Sequence, residues 1–306
     1  MSGVNLSSEV DLKFGDYLAQ VRTMGAGLSA LKYKGRDLVD PFIPAIKPEN
    51  YRGDILAPWP NRIEDGEYTV DGELYVIPIN EPNRGTALHG LVNCFEWDVI
   101  EKTDSSVLLK ATLRNSVSYP TDLEFMASYS LSAEGLLIAI SAKNIGVKKS
   151  PYGVSIHPYL IATPNSRVDD WSLKMNSSEV LEVDLKRLLP IGLRKVEELD
   201  FDFRAGRIIG NQFIDHAFKV DKGSELIVTV AAENGDVVEM TFSANCDWIQ
   251  IHTADRDGGA DSRICLAVEP MTCPPNAFRN TNEPIWLSPG DSTSSTWIIR
   301  GKTNQD

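Results

Sequence analysis

Histidine is scarce in this chain. Only His89, His157, His216 and His252 occur in 306 residues. Imidazole can give and take a proton near neutral pH, so each is a candidate for acid–base chemistry. His157 stands in Pro151-Tyr-Gly-Val-Ser-Ile-His-Pro-Tyr159. Pro158 restricts it to extended backbone, and Tyr152 and Tyr159 flank it with rings of the kind that stack on apolar sugar faces. His89 lies in Thr86-Ala-Leu-His-Gly90, a loop whose glycines let backbone approach a ligand closely. Glu269, in Cys265-Leu-Ala-Val-Glu-Pro-Met-Thr272, ends an apolar run. A carboxylate on a buried strand must be paired or hydrogen-bonded, and partial burial raises its pKa toward a value useful to a base.

Polar partners for such a centre are also present. Asn61 and Arg62 follow the run Ala57-Pro-Trp-Pro60, which can hold a planar guanidinium fork in place. Asp215, in Ile214-Asp-His-Ala-Phe218, could accept hydrogen bonds from hydroxyls. Gln250 alternates with apolar neighbours in Trp248-Ile-Gln-Ile-His252, so it faces away from the core if they face it. Each residue has a second reading without chemistry. His89 could be an idle loop histidine, and His157 a core histidine bonded to a carbonyl. Glu269 could reach solvent at a strand end closed by Pro270. Arg62 could be a surface arginine at a turn, and Asp215 a turn cap.

Positioning these residues falls to short strands. Tyr68–Val76 holds two β-prone runs around Asp71-Gly72, a dipeptide suited to a tight hairpin. The pattern recurs at 124–132 and 136–142 around Glu134-Gly135, and at 226–232 and 237–243 around Asn234-Gly235. Further strands are expected at 107–113, 248–252, 264–268 and 297–300. Val180–Leu189 is the best helix candidate. Hairpin signals from near residue 65 to the C-terminus, with no compositional break, predict one all-β domain, residues 1–306, built as a two-sheet sandwich or barrel.

Composition narrows the function classes. The formal net charge of −13 repels phosphate backbones and anionic membranes, so no nucleic-acid or membrane partner is expected. No apolar run reaches bilayer length, and Met1–Asp11 lacks the pattern of a secretory signal. Cys94, Cys246, Cys265 and Cys273 form no CxxC pair, which fits reduced thiols in a cytoplasmic protein. The segment Asp255-Arg-Asp-Gly-Gly-Ala-Asp261 lacks the later oxygen ligands of a calcium loop and reads as a solvated loop. No GxGxxG in a βαβ context, P-loop or HExxH occurs, so no metal and no nucleotide cofactor is expected.

In linear order, these motifs resemble the aldose 1-epimerase (galactose mutarotase) family over nearly the whole chain. Pro58-Trp-Pro-Asn-Arg-Ile63 with Asp65-Gly-Glu-Tyr68 resembles the family's arginine segment. Ala87-Leu-His-Gly90 and His157-Pro-Tyr159 resemble its two histidine motifs, Asp215-His-Ala-Phe218 its aspartate motif, and Glu269-Pro-Met-Thr272 the segment of its base. The resemblance implies a β-supersandwich with the site in an open cleft on one sheet. It implies sugar substrates such as galactose and glucose, no required cofactor, and a monomer or homodimer. It implies Glu269 as base, His157 as acid, His89 as a second histidine at the ring, and Arg62, Asn61, Asp215 and Gln250 as hydroxyl binders. Leu91, Leu160 and Pro274–Phe278 depart from the common pattern around these positions. Hexose 6-phosphate epimerization is the rival activity, and a non-catalytic sugar-binding module is the rival class. An exchange of acid and base roles would require His157 to be protonated, for which a nearby Glu269 could raise its pKa.

Overall fold

The computed structural model describes residues 8–43, 49–256, 259–280 and 282–304. Most of the polar stretch Met1–Asp11 and two residues of the 255–261 loop, Asp257 and Gly258, lie outside them. No α-helix occurs among the described residues, and no helix is long and apolar enough to cross a membrane.

Among the described residues, three large antiparallel sheets and four two-stranded ones build the molecule. The largest has nine strands, in the order Asp98–Lys102, Ser106–Leu113, Leu123–Ser132, Gly135–Asn144, Ser292–Lys302, Val237–Phe242, Ile227–Ala231, Ser172–Met175 and Arg207–Ile208. A six-stranded sheet runs Tyr159–Leu160, Leu266–Met271, Trp248–His252, Asp215–Lys219, Glu179–Val183 and Pro190–Lys195. A four-stranded sheet, Glu9–Phe14, Tyr17–Arg22, Leu28–Tyr33 and Arg36–Asp37, precedes them in the chain. The expected hairpins are all present. At Asp71-Gly72 both residues have positive φ, 50° and 82°, as a two-residue hairpin turn requires.

Alternation explains the layering. In Ser106–Leu113 the residues Val107, Leu109, Ala111 and Leu113 are buried, while those between are half-buried. Leu123–Ser132 repeats this with Phe125, Ala127, Tyr129 and Leu131. These side chains join one apolar cluster with Ile249, Ile251, Leu266 and Val268 of the six-stranded sheet. That sheet therefore has its other face, carrying Gln250 and Glu269, turned away from the core.

Three expectations need correction. The helix predicted at Val180–Leu189 is a strand, Glu179–Val183, followed by a turn. Val180 and Val183 are both buried at helix-like spacing because the pairing slips by one residue between Glu182 and Val183. Pro270 does not close the glutamate's strand, which spans Leu266–Met271 rather than 264–268. Pro270 stays paired opposite Ile249, and its carbonyl accepts from Ser155 Oγ (2.9 Å) and Trp297 Nε1 (3.1 Å). The four-stranded sheet lies ahead of residue 65, where no hairpin dipeptide signalled it.

That sheet reaches the site through one ion pair. Arg22, at the end of Tyr17–Arg22, bonds the carboxylate of Asp54, and both side chains are almost fully buried. The backbone carbonyl of Asp54 accepts the His157 N–H (3.0 Å), and the neighbouring Gly53 N–H donates to His157 O (2.9 Å). Gly53 cannot be larger: a Cβ there would lie 2.0 Å from Leu28 O, and its φ is +74°. The register of Ile55–Leu56 against Ser155–Ile156 is thus extended to the histidine. Removing one partner of a buried ion pair strands the other charge. Asp54→Asn is therefore expected to cost about 3–5 kcal/mol in urea unfolding, and the double change Arg22→Met/Asp54→Leu much less.

Candidate active site

A cavity of about 140 Å³ opens on the outer face of the six-stranded sheet. Its floor comes from three adjacent strands. Gln250 pairs directly opposite Glu269, and Asp215 opposite His252, so all four project from one face. Ala217 faces Gln250 and Ala267 faces Tyr159, small residues that leave room above the sheet. The walls are the loops holding His89, His157, Asn61 and Arg62. All seven residues expected at the site line this one cavity.

The loop geometry follows from local sequence. Arg62–Glu64 pairs with Thr86–Leu88, which brings Asn61 against His89. The Asn61 N–H donates to His89 Nδ1 (3.1 Å), and His89 N–H donates back to Asn61 O (3.0 Å). Asn61 Oδ1 accepts the Arg62 N–H (2.9 Å). Gly90 has φ +75°, and a Cβ there would fall 2.0 Å from Ala57 O, so the His89 loop can seat on the proline run only with glycine next to the histidine.

At the centre, His157 Nε2 lies 3.2 Å from Glu269 Oε1, with side-chain exposures of 5% and 2%. The readings of Glu269 as a solvent-reaching carboxylate and of Arg62 as a surface arginine are both set aside by burial, as is the turn cap for Asp215, which begins a strand. Burial first, then the carboxylate of Asp215, pushes Glu269 well above the ordinary glutamate range, against the pull of Arg62. Burial, with the charge of His252, lowers His157 to about 3. The expectation that a nearby carboxylate could raise His157 thus fails, because desolvation of the imidazolium outweighs the raising effects of a backbone hydrogen bond and Asp215. Both groups are driven toward their neutral forms at a separation of 3.2 Å.

His89 is fixed differently. Its Nδ1 accepts the Asn61 N–H, so the neutral ring carries its proton on Nε2, and burial holds it well below its usual pKa. It packs edge-on to His157 at 5.2 Å and to Tyr51 at 4.7 Å. His89, His157 and Glu269 place ligand atoms within 4.8 Å of one another. That spacing would suit a metal ion, but a metal-binding nitrogen must be a lone pair, and the His89 tautomer leaves its free nitrogen as a donor. In this tautomer His89 therefore presents an N–H, and not a lone pair, to the other two groups.

Arg62 donates to both oxygens of Glu81, from Nε (2.8 Å) and Nη2 (3.1 Å). Burial opposes its charge, but Asp215 and Glu81 outweigh that and keep it cationic. Burial alone would raise Asp215, yet His252 and Arg62 hold it low and ionised. Gln250 Nε2 donates to Asp215 Oδ1 (2.6 Å). Two buried acceptors, Glu269 Oε2 and Gln250 Oε1, have no partner. Such atoms cost stability unless a ligand hydroxyl meets them. Glu81, Tyr51 and His252 also line the cavity. No sequence spacing marks Glu81, which sits 19 residues from the arginine it grips.

Comparison with known proteins bears out the family resemblance of the sequence. The profile of the aldose 1-epimerase family matches residues 8–300. Escherichia coli K12 YihR is 38% identical over 92% of this chain and 89% of its own length. The aldose 1-epimerase of the same organism is 25% identical over 83% of this chain and 82% of its own. The crystal structure of a GalM/aldose epimerase homologue from C. elegans superposes with a TM-score of 0.87 at 20% identity, covering 97% of this chain and 99% of that one. The β-supersandwich is thereby established as the fold.

The raised pKa of Glu269 has a stability consequence. A carboxyl that holds its proton more tightly folded than unfolded stabilises the fold fully below the unfolded value of about 4.3, and loses that contribution as pH rises toward the folded value. Glu269→Gln removes the loss. Relative to the parent, this variant should gain stability between pH 5 and pH 8, by at most about 1.4 kcal/mol per unit, read from urea unfolding at both pH values. A constant difference would mean Glu269 is not proton-loaded in the fold.

Proposed function

The chain belongs to the aldose 1-epimerase family, and on that premise we propose that it interconverts the α and β anomers of a free aldohexose of the galactose or glucose type at the Glu269–His157 pair. Membership carries isomerase chemistry of the aldose-epimerase type on a hexose sugar. The observation that supports the finer reading is the 3.2 Å approach of a buried carboxyl to a buried imidazole.

An anomer inverts at C1 only when the ring opens. O1 must lose a proton while the ring oxygen gains one, and either transfer alone leaves a high-energy ion. A base at O1 and an acid at the ring oxygen avoid both. The pair holds one proton in two arrangements: an ionised carboxylate beside an imidazolium, or a carboxylic acid beside a neutral imidazole. In the first arrangement Glu269 takes the O1 proton, His157 gives its Nε2 proton to the ring oxygen, and the C1–ring oxygen bond breaks. The pair is left in the second arrangement, which burial favours. The open aldehyde turns about C1–C2, and ring closure on the other face runs the transfers backward.

The remaining residues orient the sugar. His89 Nε2–H and Arg62 donate to sugar oxygens and offset negative charge that develops on them. Asp215 and the free Gln250 Oε1 accept from hydroxyls. Asn61 holds His89 in its donor tautomer and leaves its own side-chain amide nitrogen for a hydroxyl. A carbohydrate-binding module has no need for a buried acid–base pair that is costly to maintain, which favours the enzyme.

Polarimetry of freshly dissolved α-D-galactose and α-D-glucose tests the activity; an unchanged approach to equilibrium rotation with both would reject it. Glu269→Gln and His157→Asn should each lower turnover by about 10²–10⁴-fold while sugar still binds. A His157→Asn variant altered only in affinity would remove His157 as the acid. The rate should be bell-shaped in pH, because both fully protonated and fully deprotonated pairs are inert, and the two limbs belong to the pair jointly.

A further inference from the structure

Glu81 decides how much of Arg62 a sugar can meet. A guanidinium has five N–H donors in one plane. Glu81 takes one from Nε (2.8 Å) and one from Nη2 (3.1 Å). Asp215 Oδ2 lies 4.0 Å from Nη2, too far for a hydrogen bond. Nη1 has no hydrogen-bond partner among the described residues, so it is the edge left for a ligand. Glu81 itself is saturated. Its Oε1 accepts from Arg62 Nη2 and Arg84 Nε (3.0 Å), and its Oε2 from Arg62 Nε and Thr86 Oγ1 (2.5 Å). Four donors on two oxygens fix the carboxylate plane, and the bidentate pair fixes the plane of Arg62 with it.

The turn that carries Glu81 is held from outside the cavity. Glu81 O accepts the N–H groups of Arg84 (3.1 Å) and Gly85 (3.0 Å), and its own N–H donates to Thr86 O (3.2 Å). Asn80 fastens the turn to Leu88, accepting its N–H (2.7 Å) and donating to its carbonyl (2.9 Å). Arg187, in the turn after Glu179–Val183, donates to Arg84 O (2.9 Å), Gly85 O (3.0 Å) and the carboxylate of Asp65 (2.6 Å). Glu81 therefore reaches Arg62 from a braced backbone.

Charge gives the arrangement a second effect. Arg62, Asp215, His89, His252 and Tyr159 surround the Glu269–His157 pair. Arg62 favours loss of a proton from both members of it. The side chains of Arg62 and Glu81 are 10% and 19% exposed, so solvent screens their attraction little. Arg84 shares the carboxylate from a more exposed position, at 31%.

We infer that Glu81 is a positioning residue for the proposed reaction: it holds Arg62 with the Nη1 edge toward the sugar, and its charge offsets Arg62 so that Glu269 and His157 retain a proton between them. The kinetic consequence rests on the epimerase reading, and the electrostatic one does not.

Glu81→Gln keeps the side chain's size but leaves the charge of Arg62 unanswered, so both members of the pair release protons at lower pH. In the pH profile of kcat/KM for anomer exchange, which reports the free enzyme, both limbs should move down by at least about 0.5 pH unit. Glu81→Asp keeps the charge and should leave the limbs where the parent has them, even where its shorter reach lowers the rate. Limb positions do not depend on how much of a variant is folded. KM of Glu81→Gln, taken at its own optimum, should rise at least about three-fold, because Arg62 no longer offers one fixed edge. Limbs unmoved in Glu81→Gln, or moved as far in Glu81→Asp, would overturn the charge role, and an unchanged KM the orienting one. Titration of the Glu269 carboxyl carbon by NMR in the sugar-free protein, assigned by its loss in Glu269→Gln, reads the same shift without turnover. Absence of exchange with galactose and glucose defeats the epimerase reading alone. In that case a lower Glu269 midpoint in Glu81→Gln still supports the charge role, and an unchanged midpoint overturns it.

Discussion

Exclusion of water from Glu269 and His157 is the constraint on which this site depends. In water a glutamate is too weak a base for a sugar hydroxyl, and an imidazole beside it would have no reason to share its proton. Burial removes the solvation that stabilises either charge and leaves the two groups to stabilise each other. The surrounding charges are arranged around that fact. Glu81 neutralises much of the Arg62 charge that would otherwise hold Glu269 ionised, while Asp215 pushes in the opposite sense. Burial and Asp215 thus favour the protonated carboxyl, against the pull of Arg62.

Backbone architecture supplies the precision. Glu269 and Gln250 stand on neighbouring strands in direct register, so their spacing is set by the sheet. His157 is on a short segment, but both its N–H and its carbonyl are tied to Gly53 and Asp54. The Arg22–Asp54 pair then connects that segment to a different sheet. An ion pair outside the cavity thereby helps to fix the position of His157 beside Glu269.

Much of this was legible in the sequence, and the reasons are specific. Hairpins announced by Asp71-Gly72, Glu134-Gly135 and Asn234-Gly235 are present, because turns that need positive φ leave a glycine in the chain. The alternation around Gln250 correctly placed it off the core face. The strand at Glu179–Val183 was not legible, because a slip in pairing gives two buried valines a helical spacing. The four-stranded sheet was missed because its turns use other residue pairs, such as Gly15-Asp16 and Lys34-Gly35. Within the site, the seven motif residues meet in one cavity, whereas Glu81 and Tyr51 arrive there only through tertiary folding. Electrostatics was the least legible level. Composition suggests a carboxylate raising an imidazole, but only burial of both decides the sign.

The position of Ser292–Lys302 in the nine-stranded sheet carries a consequence for biogenesis. This strand pairs with Gly135–Asn144 on one side and Val237–Phe242 on the other, although it follows both by a long stretch of chain. Until the ribosome has delivered it, the two halves of the sheet have no common neighbour and expose open edges. Its Trp297 also supplies the hydrogen bond to Pro270, one residue from the glutamate. Closing the nine-stranded sheet is therefore a non-local event that joins two four-stranded halves whose edges stay open and adhesive until this strand is placed between them.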